Sequence, residues 1–119
     1  MSDLRPTGEK IILGGKEYGL LFTNLVIDDI QDHFDISFDE LGALLKDGRK
    51  IYKVLHYITA SMINEYIDDK ETGEPHVTAA FVGHKMNPAN TVEIETIVAK
   101  AIRGGSPENG DDGPNPTSE

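Results

Sequence analysis

The stretch Lys10-Ile11-Ile12-Leu13-Gly14-Gly15-Lys16-Glu17-Tyr18-Gly19-Leu20-Leu21-Phe22 decides how this chain begins to fold. Two short apolar runs flank a Gly-Gly pair. Both glycines accept the positive φ of a type I′ turn without steric cost, so the stretch predicts a two-stranded antiparallel hairpin. Side chains alternate across a strand. Tyr18, Leu20 and Phe22 therefore share one face, and Ile11 and Leu13 supply the opposing strand. A lone hairpin is not stable in water and must pack on the rest of the chain.

The remainder reads as helix. Thr23 or Asn24 caps a segment running through Phe34, with Leu25 or Val26, Ile30 and Phe34 as its apolar stripe. Ser37-Phe38-Asp39-Glu40 has the form of a capping box, in which the Ser hydroxyl and the Glu carboxylate satisfy orphan amides reciprocally. Phe38, Leu41, Leu44 and Leu45 continue that helix, and Asp47-Gly48 predicts its end. From Arg49 to Asp69, Ile51, Val54, Leu55, Ile58, Met62 and Tyr66 recur three and four apart. Tyr52, Ile63 and Ile67 widen the band, which predicts a central helix touched on more than one side. Thr78 caps a short helix that Pro88 stops. Asn90 or Thr91 opens the last helix, with Ile94, Ile97, Val98, Ala101 and Ile102 on one stripe and Gly104-Gly105 at its end.

These elements predict an α+β fold, an N-terminal β-hairpin packed on a small bundle of four to five helices. Residues 1–8, with Pro6 and Gly8, read as a flexible arm, residues 9–103 as one domain, and residues 104–119 as a disordered acidic tail. From Ser106 onward no large apolar side chain is present, so that stretch has nothing with which to build a core.

The chain has 119 residues, which suits one domain with one modest core. It carries 21 Asp and Glu against 11 Lys and Arg, for a net charge of -10. Nucleic-acid binding draws on cations that displace counterions from phosphates, and anionic membranes attract the same groups. The balance argues against both as partners. No run approaches the roughly 20 apolar residues of a membrane span, and the N-terminal residues lack the apolar core of a secretory signal. The absence of cysteine excludes thiolate-ligated zinc and cysteine nucleophiles.

Motifs that carry chemistry have ordinary alternatives here. Asp28-Asp29-Ile30-Gln31-Asp32 matches DDxxD, whose carboxylates hold magnesium against a diphosphate in prenyl-transferring enzymes. Those enzymes need a large helical cavity, and acids in early helical turns are expected from the dipole alone. Asp32, Asp35, Asp39 and Glu40 cluster, but His33 and Ser37 occupy the positions where an EF-hand loop needs glycine. His33, His56, His76 and His84 contain no pair at helical metal-binding spacing, and His56 is expected to be half-buried on the long helix. None of Ser2, Ser37, Ser61, Ser106 and Ser118 stands in a nucleophile elbow, and Ser61 reads as a small packing residue. No catalytic residue, metal site or cofactor site is assigned. The candidate partner-binding residues are Phe81, Val82 and Met86, on a short helix between two loops; their competing role is to lid the core.

The hairpin, the Ser-initiated amphipathic helix and the long helix resemble, in order, the tail assembly chaperones of long-tailed bacteriophages and prophages. The resemblance covers about Ile11 to Ile102, and Gly15-Lys16-Glu17-Tyr18 with Leu20 and Phe22 carries most of it. It implies a non-enzymatic protein of the host bacterial cytoplasm that binds the tape measure protein, is shed as tail tube protein assembles, and is absent from the mature virion. Oligomers are compatible with that role. The family has no catalytic residues to carry over. It often makes a longer frameshifted form, for which the acidic tail is a suitable junction. The alternative from another class is a small acidic adaptor or regulatory protein that covers a basic partner. A third is a metal-dependent enzyme built on Asp28, Asp29 and Asp32.

Overall fold

Gly14 and Gly15 turn the chain at φ 61° and 84° in the computed structural model, which describes residues 9–46 and 51–105. Strands β1 (Glu9–Leu13) and β2 (Lys16–Leu20) pair antiparallel on either side of the turn. Leu13 stands opposite Lys16 and Ile11 opposite Tyr18, the register of a two-residue hairpin loop. Ile11 and Leu13 are buried while Ile12 between them is 58% exposed, so the first strand alternates as its sequence requires. Leu20 and Phe22 are buried beside them and Tyr18 is half-buried.

Five helices complete the described chain: α1 (Asn24–Phe34), α2 (Phe38–Leu45), α3 (Ile51–Lys70), α4 (Ala79–Lys85) and α5 (Pro88–Gly105). The fold is α+β, as the sequence predicts. Thr23 is the residue before α1 in extended backbone, and its hydroxyl donates to Glu65 of α3 at 2.8 Å instead of capping its own helix. At the other end of α1, Asp35 takes the left-handed conformation at φ 56°, which Asp tolerates better than most residues. The amides of Asp35 and Ile36 both donate to the Gln31 carbonyl there. The Ser37 capping box forms, with the Glu40 amide donating to Ser37 Oγ at 3.1 Å and the Ser37 amide to Glu40 Oε1 at 2.7 Å.

Helix α3 is the hub, packed against β2, α1, α2 and α4. Every residue from Ile58 to Ile63 is buried, which takes the helix through a full turn and a half with neighbours all round. Tyr52 departs from the expectation. It lies in the first turn of α3 and is 55% exposed, outside the apolar band. The Leu21 amide donates to the Met62 carbonyl at 3.1 Å, fixing the end of the hairpin on this helix. Gly19 lies so close to Tyr66 that a Cβ would sit 2.4 Å from its ring. Helix α5 packs on β1 through its stripe of Ile94, Val98 and Ala101.

The start of α5 corrects the expectation from sequence. Pro88 does not merely stop α4, which already ends at Lys85; it opens α5, where its missing N–H would have been an orphan. Asn87 caps that helix by accepting from the amides of Ala89 and Asn90 at 2.8 and 3.1 Å. Asn90 returns the bond, accepting from the Asn87 amide at 2.7 Å. Gly104 and Gly105 are still helical. The arm at 1–8, the Asp47-Gly48 stop and the tail from Ser106 lie outside the described residues. No helix among the described residues is long and apolar enough to cross a membrane.

Candidate functional site

Helix α4 settles where the three candidate apolar residues go. The Thr78 hydroxyl accepts from the Phe81 amide at 3.0 Å and starts the helix, as its sequence predicts. Val82, within α4, and Met86, the extended residue that caps its C-terminal end, are buried in the core. Both belong to the hydrophobic core. Phe81 is turned about 100° away from Val82 by the helical repeat and stays half-buried. Its ring meets Tyr18 edge-on, with centroids 6.0 Å apart at 71°.

This pair forms two walls of a cleft of about 300 Å³ between β2 and the segment leading into α4. Pro75, Val77 and Thr78 complete the apolar side, and Lys16 and Glu74 stand at the rim, ion-paired at 3.2 Å. Asn64 of α3 holds the backbone of the segment. Asn64 Nδ2 donates to the Val77 carbonyl at 2.9 Å, and the Val77 amide donates to Asn64 Oδ1 at 2.8 Å. Two cations flank the aromatic walls, Lys16 Nζ at 5.2 Å from the Tyr18 ring centre and Lys85 Nζ at 5.8 Å from that of Phe81. The arrangement can take up an apolar side chain from outside.

A second cleft, of about 220 Å³, lies between α1 and α3 and is acidic. Asp29, Glu65 and Asp68 line it with Asn64 and His76. Asp29 is already engaged: Tyr57 donates to one carboxylate oxygen at 2.6 Å and Ser61 to the other at 2.7 Å. All three aspartates of the DDxxD triplet are exposed, and Asp29 is tied to α3 through Tyr57 and Ser61. Burial, the bond to Asp29 and the charges of Asp29 and Asp32 push the Tyr57 hydroxyl up to about 12. His33 stacks on the Tyr57 ring at 3.8 Å and 10°. Ser61, mid-helix and buried, is therefore a hydrogen-bond donor across the helix pair and not only a small packing residue.

The other histidines lie apart. His56 is half-buried, as expected, against Gly83 of α4, and burial holds it below its ordinary value of 6.5. His76 pairs with Asp68 at 2.8 Å, and His84 is exposed. No three His, Asp or Glu side chains among the described residues gather in a metal-binding group.

The apolar pattern of the sequence points to Phe81 but not to the rest of the cleft. Strand alternation places Tyr18 on the core face, and Val77 stands in a loop. Val77 does carry a signal: it precedes the Thr78 cap and stands at the hydrophobic-staple position relative to Val82. No protein-family model, curated protein or solved structure matches the chain.

Proposed function

We propose that the chain is a non-catalytic tail assembly chaperone of a long-tailed phage or prophage. It would hold the tape measure protein in the host bacterial cytoplasm and leave as tail tube subunits assemble, so that it is absent from the virion. The observation that carries this reading is the hairpin with Gly15-Lys16-Glu17-Tyr18 and Phe22 seated on α3 and followed by helices in the order the resemblance implies. A holdase needs partly open apolar surface together with charge that keeps the complex dissolved. The cleft at Tyr18 and Phe81 and the net charge of -10 supply these. The test is to dilute the denatured long protein encoded immediately downstream of this chain into buffer, with and without a molar excess of the chain. Suppressed light scattering supports the reading, and unchanged scattering refutes it.

The acidic cleft of Asp29, Glu65 and Asp68 favours a second reading, a small adaptor or regulatory protein that covers a basic partner. A compact basic protein captured in an equimolar, salt-sensitive complex would select it over the first.

A further inference from the structure

His76 lines both the apolar cleft at Tyr18 and Phe81 and the acidic cleft between α1 and α3, so the two share a wall. Asn64 joins them a second time: it lines the acidic cleft, and its side chain holds Val77 of the apolar one. The acidic cleft has three carboxylates in its lining and neither lysine nor arginine. Among the described residues, the hydrogen-bond partners of Asp29 and Glu65 are neutral hydroxyls, those of Tyr57, Ser61 and Thr23. Asp68 meets His76, which is a cation only when protonated. No lysine or arginine among the described residues pairs with any of the three. Leu25 stands at the same cleft and is 66% exposed. In the apolar cleft Lys16 and Glu74 neutralise each other, so the half-buried walls of Tyr18, Val77 and Phe81 decide what enters.

Carboxylates without a fixed cation, beside an open apolar cleft, are complementary to a segment that carries a cation near an apolar side chain. We infer that the two clefts form one bipartite groove, which binds a segment of a partner protein presenting a large apolar side chain and, a few residues away, an Arg or Lys. The apolar side chain enters between Tyr18 and Phe81. The cation enters among Asp29, Glu65 and Asp68, and its aliphatic stem lies against Leu25. The net charge of -10 draws such a segment in, and a segment with Asp or Glu at the basic position is rejected by like charge. The chain's own residues from Ser106 onward have no Lys, no Arg and no large apolar side chain, so they do not supply the occupant. The inference shares its acidic half with the adaptor reading and needs the apolar half as well; it does not depend on the tail-chaperone reading.

The test titrates the isotope-labelled full chain, monitored by NMR, with blocked Gly-Ser peptides that carry one Phe and one Arg at varied spacing and in both orders. The tightest of these is then compared with three relatives, in which Ser replaces Arg, Asp replaces Arg, or Ser replaces Phe. The expected result is that the Phe–Arg peptide shifts the resonances of Tyr18, Val77 and Phe81 together with those of Asp29, Glu65 and Asp68. It binds about fivefold more tightly than the peptide with Ser for Arg, and the peptide with Asp for Arg binds more weakly still. The peptide with Ser for Phe leaves Tyr18 and Phe81 in place. Glu65→Gln with Asp68→Asn removes most of the preference for Arg over Asp; should the pair disturb the fold, Glu65→Gln alone, which keeps an acceptor for the Thr23 hydroxyl, narrows it. Equal affinity for the Arg, Ser and Asp peptides overturns the inference, as does the absence of any shift. Shifts at one cleft without the other overturn it too, and where these are confined to Asp29, Glu65 and Asp68 the adaptor reading still stands. Groove shifts that appear when the chain alone is concentrated make a second copy the occupant, and groove shifts on Leu4→Ser with Arg5→Ser in the peptide-free chain make its own N-terminal residues the occupant; either result overturns the inference.

Discussion

Asn64 and Val77 hold each other by two reciprocal hydrogen bonds, 2.9 Å from the side-chain amide to the Val77 carbonyl and 2.8 Å from the Val77 amide to Asn64 Oδ1. A side-chain amide here does for the segment before α4 what a neighbouring strand would do, and so positions one wall of the cleft. Asn64→Ala leaves both backbone groups of Val77 unpaired within the protein. The expected cost is about 1–3 kcal/mol in chemical denaturation, with faster amide exchange at Val77. Asn64→Asp keeps the acceptor for the Val77 amide and is expected to cost less than Asn64→Ala.

Gly19 is required by Tyr66. A methyl group at Gly19 would meet the ring at 2.4 Å, well inside contact distance, so Gly19→Ala forces either β2 or the ring to move. The expected loss is about 1–3 kcal/mol. The same substitution made in a Tyr66→Ala background is expected to cost much less, and a double-mutant cycle from urea melts measures the difference.

Tyr57 links α1 to α3 through Asp29, and the link depends on its proton. The folded hydroxyl titrates at about 12, above the ordinary value of 10.0, so its contribution is complete below about pH 10 and is lost as pH rises through 12. Tyr57→Phe is expected to cost about 0.5–1.5 kcal/mol at neutral pH. It also removes the fraction of the alkaline stability loss that Tyr57 contributes. Stability against pH from 8 to 12 for the two proteins checks both points.

His56 acts in the opposite range. Burial against α4 lowers its pKa from 6.5, so the unfolded chain takes up protons that the folded chain refuses, and stability falls as pH drops below 6.5. His56→Gln is expected to flatten the slope between pH 7 and 5 relative to the parent chain, read from denaturation midpoints at each pH.

Local signals carry most of the fold. The Gly14-Gly15 turn, the Ser37–Glu40 box, the Thr78 cap and the band on α3 each depend on residues close in sequence, and each is legible there. The ambiguity of Pro88 has a local cause: proline both ends helices and opens them, and Asn87 is the cue that it opens one here. The exposure of Tyr52 and the tie between Asn64 and Val77 depend on how separate elements settle on one another. The cleft is legible only in part, because Tyr18 comes from β2 and Val77 and Phe81 from the loop before α4 and from α4, with all of α3 between them in sequence. Val82 and Met86 carry the same apolar signal as Phe81, and only the orientation of α4 on α3 separates the buried pair from the open residue.

The central claim is that the chain works by holding another protein, and the most direct measurement is co-expression with the long protein encoded immediately downstream, then capture of this chain and native mass spectrometry of what it carries. The account predicts that the long protein becomes soluble and is recovered with several copies of this chain on each molecule. A downstream protein that stays insoluble and uncaptured would contradict it.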